Sequence, residues 1–372
     1  MNNNMDNQPN LQAKKTWFAK AFNTAVLEKS RLAWVDYLRG IAIILVVYRH
    51  ALIGIQRSNI PVPPALVSAN MIFYSFRMPL FFIISGLFIN GSIARRPLKK
   101  LIYIKFENLM YPYFIWAFIQ VTLQILLARY TNADRTPSDY AYILYQPKAL
   151  DQFWYLPALF NSTVVYLLFK VKLRVPDWSQ LLIGLGFYLL APLIHNISMI
   201  TDWMEFYIFF ALGDTLSSLF FRESTQRFLK NPWTLLAVTP LFIATELYYL
   251  YRIAGPGVGA FEFLAIALIG CFCMFVLAFR LQSWNILRFL RVLGFHSLFI
   301  YVMHVLVTAL TRSVLTRFLH LRNPEILLLC EIAAGVTIPV IFYNLLIKDN
   351  VLWFLFTPKK PAKTTLPAPA AS

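Results

Sequence analysis

The chain is poor in charged residues, and above all in acidic ones. Only 14% of its 372 residues are charged, with 17 Asp and Glu against 34 Lys and Arg, whereas 59% are hydrophobic and the mean hydropathy is +0.59. This composition excludes an ordinary soluble domain, in which about 25% of residues are charged. Nucleic acid is not an expected partner, because the basic residues alternate between loops instead of forming one patch. We therefore expect the chain to lie in a lipid bilayer.

Cysteine is scarce, and two other features are missing. Cys271, Cys273 and Cys330 all fall inside apolar runs, so neither a disulfide framework nor a metal site is predicted. A cleavable signal peptide is not predicted, because the first thirty residues are polar and the first apolar run is long enough to cross a membrane. Internal inverted repeats, which mark many transporters, are not seen.

Apolar runs of about 20 residues, the length that crosses a bilayer, recur along the chain. They predict an all-α, polytopic membrane helix bundle of about ten transmembrane helices. This membrane domain is expected at residues 34–347, between an N-terminal segment at 1–33 and a disordered tail at 348–372. The predicted helices lie near residues 34–54, 71–91, 109–129, 152–169, 179–195, 203–220, 234–250, 258–279, 293–311 and 325–347.

Lys and Arg concentrate in every second loop, beginning with the segment before the first helix. The positive-inside rule then predicts that both termini are cytoplasmic in a multi-pass protein of the cell inner membrane. One loop disagrees, because Arg312, Arg317 and Arg322 fall between the last two predicted helices, on the expected outer side. Either a helix is miscounted or that loop binds something anionic.

The first predicted helix carries three ionisable side chains on one face. Arg39 and His50 are eleven residues apart, which places them within about 20° of each other and about 16 Å apart along the helix axis. Asp36 lies one turn before Arg39 and is expected to pair with it. Because ionisable groups are costly at membrane depth, this face is expected to line a bundle interior or a wet cavity.

Other polar side chains also fall within apolar runs. Arg77 keeps its charge, so it needs a carboxylate, a cavity or an anionic ligand. Ser85 serves either helix packing or a site. Trp154 and Tyr155 form either an interfacial aromatic belt or the apolar wall of a sugar or acyl site.

Ser297, Tyr301 and His304 recur at helical spacing near the end of the chain and therefore share one helix face. A hydrogen-bonded structural cluster and a functional site remain equally open interpretations of this face.

Four segments, in this order and spacing, together resemble the acyltransferase-3 family of integral membrane O-acyltransferases. They are Asp36 to His50, Met78 to Gly86, Phe153 to Phe160 and Ser297 to His304. The resemblance implies ten core helices, a cytosolic acyl-CoA donor with acetyl-CoA expected, no bound cofactor, and an acceptor hydroxyl on a cell-surface or periplasmic carbohydrate. It also implies that His50 is the catalytic histidine and Arg39 its essential partner.

The chain departs from the family pattern at one place. Many members carry a dense arginine run before the third helix, whereas this chain has only Lys99, Lys100, Lys105 and Glu107 there. Contacts to the donor phosphates at that place are therefore open.

A histidine suits acyl transfer, since its ordinary pKa lies close to neutrality and it can take the proton of an acceptor hydroxyl. Two alternatives stay open: a transporter of glycans or small molecules, whose charges would line a substrate path, and a non-catalytic membrane subunit. The acceptor, the acyl group and the oligomeric state are not specified by the sequence.

Overall fold

The computed structural model describes residues 17–28, 32–128, 135–194, 196–348 and 350–359. These residues form helices and no strands, which confirms the all-α prediction. From Ala33 onward the helices are α1 (Ala33–Arg57), α2 (Pro64–Ile72), α3 (Tyr74–Leu87), α4 (Ile89–Ile93), α5 (Leu98–Lys105), α6 (Tyr111–Leu126), α7 (Tyr142–Tyr145), α8 (Tyr155–Leu167), α9 (Asp177–Leu190), α10 (Ser198–Phe220), α11 (Glu223–Lys230), α12 (Pro232–Ala254), α13 (Ala260–Trp284), α14 (Phe289–Phe295), α15 (Ser297–Arg317) and α16 (Pro324–Phe342).

Turns of π-helix follow three of these helices, at Phe106–Met110, Leu168–Lys172 and Tyr343–Ile347. Short 3-10 helices lie at Thr24–Leu27, Pro137–Ala141, Pro147–Leu150, Ala191–Leu193 and Val351–Leu355.

Seven helical segments of the described chain are long and apolar enough to cross a bilayer. They are Ala33–Arg57, Pro64–Leu87, Leu98–Leu126, Pro232–Ala254, Ala260–Trp284, Ser297–Arg317 and Pro324–Ile347. Helices α10 and α11 add an eighth if the 101° bend between them lies within one crossing. Helix α9 has 14 residues, and α8 has 13, or 18 with the π-helical turn that follows it. Both are shorter than the roughly 20 residues that span a bilayer. The count of about ten and the cytoplasmic termini remain predictions.

Helix α1 occupies the centre of the bundle, where it contacts α3, α13, α14, α15 and α16. It begins at Ala33, and the backbone N–H of Trp34 in its first turn donates to Gln282 Oε1 at 2.8 Å. It ends before Asn59, whose φ of 57° lies in the left-handed region, and three prolines follow within five residues. The residues between contain no proline, so α1 runs unbroken and carries both Arg39 and His50.

Helices α1 and α14 approach each other through glycine. A Cβ atom at Gly294 would overlap the backbone carbonyl of Asp36, and one at Gly40 would overlap the carbonyl of Leu290. Each glycine thus lets the backbone of one helix rest on the other, as small residues do in membrane bundles. This contact fixes α14, and through it the start of α15, against the helix that bears Arg39.

Gly294→Ala is expected to destabilise the protein by about 1–3 kcal/mol, since the methyl group meets backbone that cannot rotate away. The midpoint of thermal unfolding in detergent measures the effect. Gly91→Ala is the matched control, because a Cβ atom at that helical position meets nothing within 4 Å. Equal unfolding midpoints for the two variants would contradict the proposed packing.

The loop that disagreed with the positive-inside rule is shorter than predicted. Helix α15 continues to Arg317, so the placement of Arg312 and Arg317 in a loop was wrong. Arg312 points into the bundle and forms a 3.0 Å ion pair with the buried Glu331 of α16. Of the three arginines, Arg322 alone lies in the loop, which weakens the conflict with the predicted topology.

The start of the predicted disordered tail is structured. Val351–Leu355 forms a 3-10 helix, and Trp116 Nε1 donates to the carbonyl of Leu355 at 3.1 Å. Phe356 is buried against the rings of Trp116 and Phe299. This part of the prediction was wrong because the apolar residues after 350 find a place on the bundle. Residues 360–372 and 1–16 lie outside the described part of the chain.

Candidate active site

A cavity of about 460 Å³ lies beside the N-terminal half of α1. We call it the Arg39 cavity. Arg39, Arg96 and Lys105 line it, and none of the described residues in its lining is acidic. Its remaining polar side chains are Ser85, Ser92, Asn108, Tyr155, Ser297 and Tyr301. Three cations without an acid in the wall favour an anionic ligand.

The basic side chains of the Arg39 cavity come from separate elements. Arg39 projects from α1, Arg96 from the turn before α5, and Lys105 from the last residue of α5. A π-helical turn, Phe106–Met110, follows Lys105 directly. Such turns often occur at functional sites, because they change the direction of the adjacent side chains.

A second cavity, of about 190 Å³, lies beside the C-terminal half of α1. We call it the His50 cavity. Its charged lining comprises Arg49, Arg57, Arg77, Lys148, Asp151 and Glu205, and its aromatic lining comprises Tyr74, Trp154, Phe206, Phe263 and Tyr301. Charged and aromatic side chains beside a histidine are suited to a polar ligand that also has an apolar ring face, as a sugar has.

Tyr301 lines both cavities. Its ring packs edge-on against Tyr155, with centroids 5.3 Å apart, and its buried hydroxyl has no hydrogen-bond partner of acceptable geometry among the described residues. On the same helix face, Ser297 lines the Arg39 cavity and His304 packs against His50. The predicted Ser297–Tyr301–His304 face therefore runs alongside α1 from one cavity to the other.

His50 and His304 form a close ring pair, with centroids 5.1 Å apart and an interplanar angle of 62°. His304 Nδ1 lies 2.7 Å from the carbonyl of Tyr301 and 3.1 Å from that of Ile300, so this nitrogen carries the proton. Its Nε2 is buried without a partner. In this tautomer His304 offers a lone pair, and not a proton, to its surroundings.

A small third cavity, of about 80 Å³, extends from His50 to Arg312, which forms an ion pair with Glu331. Gly54 lines it, and a Cβ atom there would overlap the guanidinium of Arg312. The glycine, one turn after His50, thus leaves room for a buried ion pair behind the histidine.

The structure brings most of the predicted site residues together. Arg39, Ser85, Tyr155 and Tyr301 line the Arg39 cavity, and His50, Arg77, Trp154 and Tyr301 line the His50 cavity. Ser85 also donates to the carbonyl of Phe81 at 2.8 Å.

Asp36 takes another position, whereas Tyr155 lies in the cavity wall. Asp36 is 1% exposed and lines neither cavity, since it lies in the α1–α14 contact. Its predicted role in substrate binding and its predicted pairing with Arg39 both stay predictions. Tyr155 is buried among the rings of Phe81, Phe82 and Tyr301. This position favours the cavity wall over an interfacial belt.

Sequence reasoning did not select Arg49, Arg96, Lys148 or Glu205 as site residues. Lys148 lies in the 3-10 helix Pro147–Leu150, outside the predicted helix faces. It lines the cavity and forms a 3.1 Å ion pair with Asp202. Burial lowers the pKa of Lys148, but the carboxylates of Asp202 and Glu205 raise it more, so the pKa lies above its ordinary value. The position of Arg49 next to His50 was a usable signal for its place in the cavity.

The central helix of this bundle has a basic cavity near one end and a histidine-lined cavity near the other. This arrangement suits either an enzyme or a transporter. The model of the acyltransferase-3 family, an acyltransferase domain, matches residues 32–344. The chain therefore belongs to this acyltransferase family. No curated protein and no solved structure matches it.

Proposed function

We propose that this protein moves an acyl group, with acetyl as the expected case, from cytosolic acyl-CoA to a hydroxyl of a cell-surface or periplasmic carbohydrate. The observation that carries the proposal is the arrangement on α1, where Arg39 and His50 line different cavities that share Tyr301. We propose further that the protein lies in the cell inner membrane, with the Arg39 cavity on the cytosolic side.

The Arg39 cavity suits the donor. Acyl-CoA carries phosphates at one end and a thioester at the end of an extended arm. Arg39, Arg96 and Lys105 provide cations for the phosphates, of which the two guanidiniums can make paired hydrogen bonds. The arm then reaches along α1 toward Tyr301 and His50, over a separation of about 16 Å. These cations replace the dense arginine run that the sequence lacks.

The His50 cavity suits the acceptor and the chemical step. His50 takes the proton of the acceptor hydroxyl as its oxygen attacks the thioester carbonyl. The carbon–sulfur bond then breaks, an ester forms, and the protonated His50 returns the proton to the CoA thiolate. Atoms and charges balance without another reactant.

Tyr301 and His304 support this step. The free hydroxyl of Tyr301 can donate to the oxyanion that develops on the thioester carbonyl. His304 Nε2 can accept an N–H from His50, which leaves the other His50 nitrogen basic toward the acceptor. His304 is in this view a positioning residue.

The test uses the full chain in nanodiscs with radiolabelled acetyl-CoA and cell-surface glycan isolated from a strain that lacks the protein. We expect release of free CoA and label in the glycan only when both substrates are present. A folded preparation that binds neither CoA nor its thioester, yet carries glycan across proteoliposome membranes, would favour a transporter instead.

A further inference from the structure

Two arginines of the His50 cavity face the same aromatic ring. The guanidinium carbon of Arg49 lies 5.4 Å from the centroid of Tyr74, and that of Arg77 lies 6.0 Å from it. Both arginines line the cavity beside His50. Neither forms an ion pair with a carboxylate of the described residues.

Arg77 is the more deeply placed of the two, with 2% of its surface exposed. Its Nη1 donates to the carbonyl of Leu45 at 3.1 Å and to Asn70 Oδ1 at 3.4 Å. Both partners are neutral, and a guanidinium does not lose its proton in proteins. A buried cation without a counter-charge is unfavourable, so Arg77 favours the binding of an anion in this cavity.

Both other cations of the cavity are paired with carboxylates, and Glu205 is one further carboxylate of the lining, without an ion pair among the described residues. Arg57 pairs with Asp151 at 2.9 Å, and Lys148 pairs with Asp202 at 3.1 Å, with Glu205 nearby. The cations of the lining without an ion pair among the described residues are therefore Arg49 and Arg77, on the α1 and α3 side of the cavity.

The two arginines without a carboxylate partner lie close to His50, the proposed reacting group. Arg77 is anchored to the carbonyl of Leu45, which is five residues, or about 7.5 Å along the axis, before His50. Arg49 precedes His50 directly. A group bound by both arginines therefore lies within about one sugar unit of a hydroxyl that contacts His50. Trp154 and Phe206 supply flat apolar surface for the sugar ring in the same cavity.

We propose that the acceptor is an acidic carbohydrate, whose carboxylate or phosphate binds Arg77 and Arg49 while the adjacent hydroxyl faces His50. This inference rests on the proposed function and specifies its substrate class. The guanidiniums recognise an oxyanion of either kind, through paired N–H donors. A neutral glycan leaves both arginines without a counter-charge.

Binding of small glycans to the full chain in detergent tests the inference without requiring catalysis. The probes are trigalacturonate, phosphorylated maltotriose and neutral maltotriose, titrated calorimetrically. At least one acidic probe is expected to bind about tenfold or more tightly than maltotriose, because hydrogen bonds between two charged groups are stronger than those to a neutral group. Comparison of the two acidic probes separates carboxylate from phosphate recognition.

The variants Arg77→Gln and Arg49→Gln are each expected to remove most of the preference for the acidic probe. His50→Ala is expected to keep it, since the histidine acts on the hydroxyl. Arg227→Gln is the matched control, because Arg227 is exposed and pairs only with Glu223 on the protein surface. If Arg77→Gln does not fold, the half-buried Arg49 provides the second variant.

Equal or absent binding of acidic and neutral probes, or an unchanged preference in the folded Arg77→Gln and Arg49→Gln variants, would overturn the inference. If acetyl groups are transferred equally well to neutral glycans, the acyltransferase proposal stands and the acidic acceptor fails. If acidic probes bind but no acyl-CoA does, the anion site stands and the acyltransferase proposal fails.

Discussion

His50→Ala is expected to abolish acyl transfer while the protein still inserts into the membrane. General base catalysis contributes about 10²–10⁴-fold to such reactions, so the turnover should fall at least about a hundredfold. Folding should be spared, because alanine removes no charge partner of His50 and buries no new polar group. Label transfer from acetyl-CoA to glycan in nanodiscs measures the loss.

The control for this variant is His320→Asn. His320 is exposed, lies after α15 and has a φ of 50°, a conformation that asparagine also adopts readily. It should transfer label at the original rate. Acetyl-CoA should still bind the His50→Ala variant, since the Arg39 cavity does not include His50. Near-normal transfer by His50→Ala would remove the histidine from the mechanism.

The geometry of the candidate site that could be predicted from the sequence depends on local periodicity. Arg39 and His50 lie on one uninterrupted helix, so 3.6 residues per turn suffices to place them on the same side. Ser297, Tyr301 and His304 likewise follow from one helix, α15. In both cases the pattern requires no knowledge of neighbouring helices.

The parts that were missed depend on tertiary contacts. Arg312 looked like a loop residue because its charge lowers local hydropathy, but Glu331 on α16 compensates that charge inside the bundle. Lys148 comes from a 3-10 helix far away in sequence, and only the fold brings it beside Arg77. Asp36 lies in the contact between α1 and α14 and lines neither cavity, a position that also depends on the neighbouring helix.

Arg39→Lys is expected to weaken acyl-CoA binding about tenfold or more, although the positive charge is kept. A guanidinium makes two parallel hydrogen bonds to a phosphate, which an ammonium does not reproduce. Arg39→Ala should be weaker still. Calorimetric titration with acetyl-CoA and with free CoA measures both, and the affinity of the unaltered protein should fall as salt screens the phosphates.

The same substitution should leave the acceptor side intact, because Arg39 and the His50 cavity lie at different positions along α1. Binding of the acidic glycan to Arg39→Lys is therefore expected to equal that of the original protein. Arg322→Lys, at an exposed loop position, controls for the loss of an arginine as such. If Arg39→Lys binds acetyl-CoA with full affinity, Arg39 contributes only a positive charge. If it loses the acidic glycan and keeps CoA, the two cavities have been assigned to the wrong substrates.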